Sequence, residues 1–345
     1  MQSPFSPVRV AVVGAGIGRA HVEGYLAAGA QVAVICDLDA PKARALADKH
    51  GIEAKIETDF SLVLGENIDA ISICTPNSLH ASMAIQAMRA GKSVLCEKPL
   101  ATNATDAQSI ADCARETGQI CMVSHVLRFR DDVLELKRRA NEAGEIYYAR
   151  VLARRRSGIP KWGGWFTQNA LAGGGPLIDT GVHTLDLAWW LAGCPVPLSA
   201  SGVSYAKFGP QKTHLGAGGA GIEDGVFDVE DLAAGFVRFD NGFSLHFEAS
   251  WAINAARDER FCHLHGTRGA LLWEDEPKIV DEDGEIETLQ ERAGSAWKRE
   301  MEHFLGCVQS GETPDPDAGQ GATMMRILDA LYQSAREGRE VKIEG

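Results

Sequence analysis

From Val8 to Val123 the chain repeats one pattern. Short runs of almost purely apolar residues (VRVAVV, QVAVIC, AISIC, SVLC, ICMV) alternate with stretches in which apolar residues recur at helical spacing, such as Ser78 to Ala90 and Thr105 to Thr117. A strand without polar alternation is one buried on both faces, and strands alternating with helices form a parallel sheet. Right-handed crossovers then make the unit doubly wound. The pattern changes beyond that point. A helix over about Asp131 to Glu142 leads into a long strand, Ile146 to Arg155, and a second helix fills Gly173 to Gly193. Later, Phe243, Leu245, Phe247, Ala249 and Trp251 alternate with polar or small residues, and Asp240-Asn241-Gly242 before them reads as a hairpin turn after GFVRF. A helix over about Gln320 to Arg336 and a strand over Val341 to Ile343 close the chain.

These periods predict an α/β chain of two domains. Residues 1–124 form a doubly wound parallel sheet. Residues 125–345 form an α+β domain with a large, mostly antiparallel open sheet, whose uncovered face suits contact between copies of the chain. The segment Gly209 to Gly225 is rich in glycine but lies between strands, without the strand-turn-helix context of a phosphate loop, so it reads as a flexible connection.

Composition narrows the classes. A formal charge of -13 over 345 residues argues against a nucleic-acid or anionic-membrane surface, and Arg154-Arg155-Arg156 is too small a basic patch to change that. No stretch approaches the roughly 18 apolar residues of a membrane span. The eight cysteines are scattered without a C-x-x-C pair, which suits buried thiols in a reducing compartment. The start of the chain lacks the pattern of a secretion signal. A cytoplasmic protein is expected.

Candidate chemistry gathers at the ends of the predicted strands. VRVAVVGAGIGRAH places Gly14, Gly16, Ile17 and Gly18 between the first strand and the first helix, where backbone can approach a pyrophosphate resting on the helix N-terminus. The second strand ends at Asp37, 21 residues after Gly16, a carboxylate placed for a ribose 2′-hydroxyl and repulsive to a 2′-phosphate. NAD is therefore favoured over NADP. AISIC ends in Thr75-Pro76-Asn77 with His80 beyond, and SVLC runs into Glu97-Lys98-Pro99. Ligands bind outside such carboxyl ends, so these residues are further cofactor candidates.

With GAGIGRAH, CTPNSLH, CEKPLA and GGGPLIDTGVHTLDL in the same order, essentially the whole chain resembles the Gfo/Idh/MocA family of nicotinamide-dependent oxidoreductases. The glycine turn, G-x-G-x-G, is one residue shorter than the usual G-x-G-x-x-G. The resemblance implies a Rossmann domain followed by an α/β domain with an open sheet, assembly as a homodimer or homotetramer, NAD or NADP as cofactor, and a small sugar, cyclitol or polyol as substrate. It also implies that Lys98, Asp179 and His183 line the catalytic pocket and that Asp186 contacts substrate.

The helix from Gly173 to Gly193 agrees with this. Pro176 suits its first turn, Gly193 and Pro195 stop it, and Ile178, Val182, Leu185 and Trp189 make a core-facing stripe. Asp179, His183, Asp186 and Trp190 form an adjacent stripe, so a regular helix places the three polar groups on one face. Gly181 is expected to leave room for a nicotinamide ring. D-x-x-x-H can also bind a metal, but no further His or Cys clusters with it, so no metal site is expected. His183 then takes the substrate's hydroxyl proton, Asp179 orients it, and Lys98 hydrogen-bonds the same oxygen. Arg128, Arg156 and Trp165 are further substrate candidates, and Trp162 lies on the same segment as Trp165. The reading is an NAD-dependent dehydrogenase of an aldose such as a pentose or apiose, or of an inositol. Two alternatives stay open: a non-catalytic NAD-binding sensor of the same fold, and an enzyme that recycles tightly held NAD within one turnover, as in aldose–aldose exchange or glycoside cleavage.

Overall fold

A computed structural model describes residues 7–216, 221–289 and 294–344. The chain's first six residues, part of the reading against a secretion signal, and residues 217–220 of the glycine-rich segment lie outside the described residues.

The first compact unit comprises residues 1–101, 105–129 and 294–322. Its strands are β1 (Arg9–Val13), β2 (Gln31–Cys36), β3 (Lys55–Glu57), β4 (Ala70–Ile73), β5 (Ser93–Glu97) and β6 (Cys121–Ser124), all parallel, in the order β3-β2-β1-β4-β5-β6. The apolar runs are strands because both faces are covered; β4 and β5 carry no residue that is even half-exposed. The connecting helices are α1 (Gly18–Ala27), α2 (Ala40–His50), α3 (Phe60–Leu64), α4 (His80–Arg89) and α5 (Ala104–Thr117). Strand order reverses direction between β1 and β4. That switch point opens a crevice at the carboxyl ends of these two strands, where dinucleotides bind in such sheets.

The boundary does not follow the chain. Residues 294–322, assigned above to the second domain, return to the first unit. They carry a helix, Ala296–Ser310, absent from the sequence reading. Its signal is present nonetheless: Ser295 caps it by accepting the Lys298 N–H, and Met301, Phe304, Leu305 and Val308 recur at helical spacing. This helix packs on α1 so closely that a Cβ on Gly24 would lie 2.8 Å from Met301 and 2.9 Å from the Trp297 carbonyl.

The second unit comprises residues 102–104, 130–293 and 323–345. Its nine-stranded sheet is built from β7 (Ile146–Arg154), β8 (Pro197–Tyr205), β9 (Leu232–Phe239), β10 (Ser244–Ser250), β11 (Glu259–Gly266), β12 (Ala270–Trp273), β13 (Lys278–Val280), β14 (Ile286–Thr288) and β15 (Val341–Lys342). Only the β7–β10 pairing is parallel among the pairings of this sheet's described residues. The expected hairpin joins β9 to β10, and Phe243, Leu245, Phe247, Ala249 and Trp251 are all buried. Ala149, Val151, Ala153, Cys262 and Leu264 share that inner face by register and are buried too. The outer face carries Arg150, His246, Glu248, Phe261 and His263, half-buried or exposed in the single chain. The helices of this unit include α6 (Asp131–Arg138) and α7 (Asn169–Ala172). The predicted helix from Gly173 to Gly193 is two elements, a π-helical turn over Leu177–Gly181 and then α8 (Val182–Leu191). In chain order Ala296–Ser310 is α9, and α10 (Ala318–Glu337) follows it.

The glycine-rich segment has packing partners where it is described. Phe208 and Leu215 lie against a cluster of Ile159, Trp162, Val229, Trp251 and Ala252, and the Gly209 carbonyl accepts the Trp162 indole N–H at 2.7 Å.

Candidate active site

In the first unit the turn after β1 is shaped by its three glycines. Gly14 has φ +97°, and a Cβ there would overlap the Cys74 carbonyl at the end of β4. Gly16 faces open space, with only the Lys42 ammonium within 4.0 Å of a Cβ position. Gly18 is the first residue of α1, and a Cβ on it would lie 2.8 Å from Val12. Gly18 therefore takes the role of the third glycine, close helix–strand packing, although the turn is one residue shorter than usual. Ile17 is half-exposed, and α1 starts without a side-chain cap.

Asp37 braces this turn. Its carboxylate accepts the Ala15 N–H at 2.7 Å and the Asp39 N–H at 3.0 Å, and lies 3.3 Å from the Lys42 ammonium. Burial raises the carboxyl's pKa, but these two N–H groups and Lys42 outweigh burial and hold it below the ordinary value. A tight turn, an open glycine face and an ionised acid at the end of β2 fit a dinucleotide with a free ribose 2′-hydroxyl.

At the other two strand ends, Thr75 and Pro76 are half-buried, while Asn77 and His80 are buried. His80 bridges the two loops: Nδ1 lies 2.8 Å from the Pro99 carbonyl and Nε2 lies 2.9 Å from the Thr75 carbonyl. Burial lowers its pKa against both carbonyls. Lys98 is the half-exposed residue in a buried run from Ser93 to Leu100. The carboxylate of Glu97 points inward, 2.9 Å from His21 Nε2, and its second oxygen accepts the Lys98 backbone N–H at 3.1 Å. Glu97 can thus serve a cofactor only through its backbone. Burial raises its carboxyl pKa, but His21, Lys98 and His80 reverse this and hold it low. Glu300 of α9 shares Ser124 with Glu97 and is fully buried. Burial first, then the Glu97 charge, lift its carboxyl well above the usual range.

In the second unit, the π turn and α8 bury every side chain from Leu177 to Leu191 except Asp179, Thr180 and His183. Ile178, Val182, Leu185 and Trp189 form the expected core stripe. The Trp251 indole N–H donates to Asp179 Oδ2 at 2.9 Å. Gly181 does not face a ring-sized space: a Cβ there would lie 2.9 Å from Ala249, so the glycine lets the helix approach β10. Of the predicted polar stripe, Asp179 and His183 are half-buried. Asp186 is 2% exposed, and buried Trp190 follows it one turn on.

Arg128 is 1% exposed and its guanidinium donates to Asp315 and Gln320, both at 2.6 Å. Arg156 is exposed, and its backbone N–H is held by Asp258. Trp165 is half-buried and stacks on Phe166. Among the described residues no group of three or more His, Cys, Asp or Glu is arranged to hold a metal ion, and no helix is long and apolar enough to cross a membrane. Sequence reasoning missed Thr180, Glu230, Tyr332 and Glu300, and took Trp251 for core alone. Their partners lie far along the chain, and the local trace of Glu230 is an acid pair set between Val229 and the apolar strand β9.

A doubly wound sheet with a dinucleotide turn, joined in one chain to an open-sheet unit with accessible Asp and His, defines a nicotinamide-dependent oxidoreductase. Two family models match it, one described as an oxidoreductase family with an NAD-binding Rossmann fold, over residues 8–125, the other as that family's C-terminal alpha/beta domain, over residues 139–343. The chain belongs to the Gfo/Idh/MocA oxidoreductase family. It is 35% identical over 353 residues to D-glucoside 3-dehydrogenase of Escherichia coli (strain K12), covering 98% of both chains. It is 29% identical to scyllo-inositol 2-dehydrogenase (NAD(+)) of Bacillus subtilis (strain 168), over 98% of this chain and 96% of the other. Levoglucosan dehydrogenase in complex with NADH and levoglucosan shares the fold, with a TM-score of 0.87 at 23% identity over 99% of this chain and 100% of the other.

Proposed function

We propose that this protein is an NAD-dependent dehydrogenase that oxidises a ring hydroxyl of a sugar, most often within a glycoside. The observation that carries this reading is the 35% identity to a D-glucoside 3-dehydrogenase over 98% of both chains. The inositol dehydrogenase relative extends the substrate class to cyclitols. Bound NAD supplies the hydride acceptor. His183, accessible on an otherwise buried helix, takes the hydroxyl proton. Asp179, held by Trp251, orients the imidazole or the substrate. Lys98 donates a hydrogen bond to the reacting oxygen. Arg128 and Asp186 act in this scheme as structural residues, because both are buried and Arg128 is committed to Asp315 and Gln320. Gly14, Gly16, Ile17, Gly18 and Asp37 bind the dinucleotide, with Thr75, Pro76, Asn77 and the backbone at Glu97 and Lys98 along its path. The outer face of the nine-stranded sheet is the surface proposed for assembly of copies, in the cytoplasm.

The test is NADH absorbance during incubation of the purified chain with NAD and a panel of glucosides, aldoses and inositols, repeated with NADP. Turnover of a glucoside or cyclitol with NAD supports the reading. Bound NAD with no turnover of any of them overturns it.

A further inference from the structure

Four residues, Asp228 to Asp231, tie together three separate pieces of the second unit. Asp228 accepts the Asn169 N–H at 2.6 Å, at the start of α7. Asp231 accepts the N–H groups of Lys207, Phe208 and Gly209 at 2.7, 2.6 and 3.0 Å. Between them Glu230 reaches the start of the π turn. One carboxylate oxygen accepts the Gly175 N–H at 2.9 Å; the other accepts the Leu177 N–H at 3.1 Å and the Tyr332 hydroxyl at 2.9 Å.

The first N–H groups of any helix lack partners within it. A carboxylate that accepts them makes charge-assisted bonds and complements the helix dipole. Here that cap comes from a residue more than fifty positions away. The turn has no room to rearrange around it. A Cβ on Gly174 would overlap the Tyr332 hydroxyl, and one on Gly175 would overlap the Glu230 carbonyl. Asp179 donates its own N–H to the Gly175 carbonyl at 3.1 Å, so the residue that Glu230 grips also closes the turn carrying Asp179.

We infer that Glu230 is a positioning residue for the proposed reaction: by accepting the Gly175 and Leu177 N–H groups it fixes the π turn that presents Asp179 and, one turn on, His183. The catalytic part of this inference rests on the dehydrogenase reading above; the positional part does not. Burial raises the carboxyl's pKa against the N–H groups and Tyr332, so the ionised form is held by those bonds alone.

The test uses the full chain and two variants, Glu230→Gln and Tyr332→Phe. Glu230→Gln keeps the side chain's size but turns an amide N–H₂ toward a backbone N–H. Three quantities are measured: kcat and KM for the sugar, the Kd for NAD, and the titration of His183 by NMR, its signal assigned with His183→Ala. Displacing a reacting group by an ångström costs on the order of 100-fold. Glu230→Gln should therefore lower kcat by about 10- to 100-fold, leave the NAD Kd within about twofold, and move the His183 titration midpoint. Tyr332→Phe should do the same to a smaller degree. A cooperatively melting Glu230→Gln with kcat within about twofold of the parent and an unmoved His183 titration overturns the inference. If Glu230→Gln fails to fold, an unmoved His183 in Tyr332→Phe overturns it instead. If the parent binds NAD but turns over no sugar, the dehydrogenase reading falls, and the His183 titration alone decides the positional claim.

Discussion

Two helix starts in this chain are finished in opposite ways. α1 begins at Gly18, the last of the turn's three glycines, and no side chain caps it. The π turn before α8 also begins behind three glycines, but Glu230 closes it from within the protein. Each start carries unpaired N–H groups and partial positive charge. At α1 no side chain caps the start, which suits an anionic ligand there. At the π turn the chain supplies its own anion, and the same electrostatics go into holding side chains still. A dinucleotide site needs the first arrangement, and a proton-transfer site needs the second.

The largest test of this contrast asks whether the closed helix carries chemistry at all. His183→Ala should lower kcat by about 10²- to 10⁴-fold, the range for loss of a general base. Steady-state rates with the best sugar of the panel would show it, and an unchanged kcat would remove His183 from the mechanism. The Glu230→Gln loss described above comes next in size.

The open start makes a sharper, paired prediction. At Gly16 a Cβ meets nothing closer than the Lys42 ammonium, at 4.0 Å. Gly16→Val should fold with a Tm close to that of the parent, yet weaken NAD by about tenfold or more, the worth of one hydrogen bond to a charged group. Gly14→Ala should do the reverse first. Its φ of +97° and the Cys74 carbonyl beside it cost the folded state about 1–3 kcal/mol or more. Calorimetry and NAD titration on both variants separate the roles. Equal loss of stability in both would show that Gly16 is not an open face.

The smallest effect lies beneath α1, where Glu300 sits buried beside Glu97. Its native pKa is raised by burial and by the Glu97 charge. The unfolded chain ionises this group near about 4.3, while the native chain keeps it protonated. Stability is therefore lost as pH rises above that value, up to the native pKa. Glu300→Gln removes the loss, so the difference in Tm should move in the variant's favour as pH rises from about 4 to neutral and beyond. A constant difference across that range would mean Glu300 does not titrate as described.

What the sequence disclosed follows the same division. The glycine turn, Asp37 and five of the six parallel strands are local patterns, each complete within a few residues, and the structure holds them where their periodicity puts them; β3, three residues long and only partly buried, carried no such pattern. The core stripe of α8 was equally legible, because burial of Ile178, Val182, Leu185 and Trp189 follows from helical spacing. The π turn was not. Nothing between Gly173 and Gly181 distinguishes it from an α-helical start. Its partners Glu230 and Trp251 lie 53 to 72 residues away in sequence from Gly175, Leu177 and Asp179, and Tyr332 lies 102 residues beyond Glu230.

The π turn can also be read as an inserted residue. An α-helix advances about 100° per position. Removing one residue from 177–181 would let a regular helix close, and would shift Ile178 and Asp179 together relative to Val182 and His183. Length, and not only residue type, is therefore part of what this chain must keep: a one-residue deletion there would leave Asp179 and His183 both present, but would change how the turn joins Asp179, and Ile178 of the core stripe beside it, to α8.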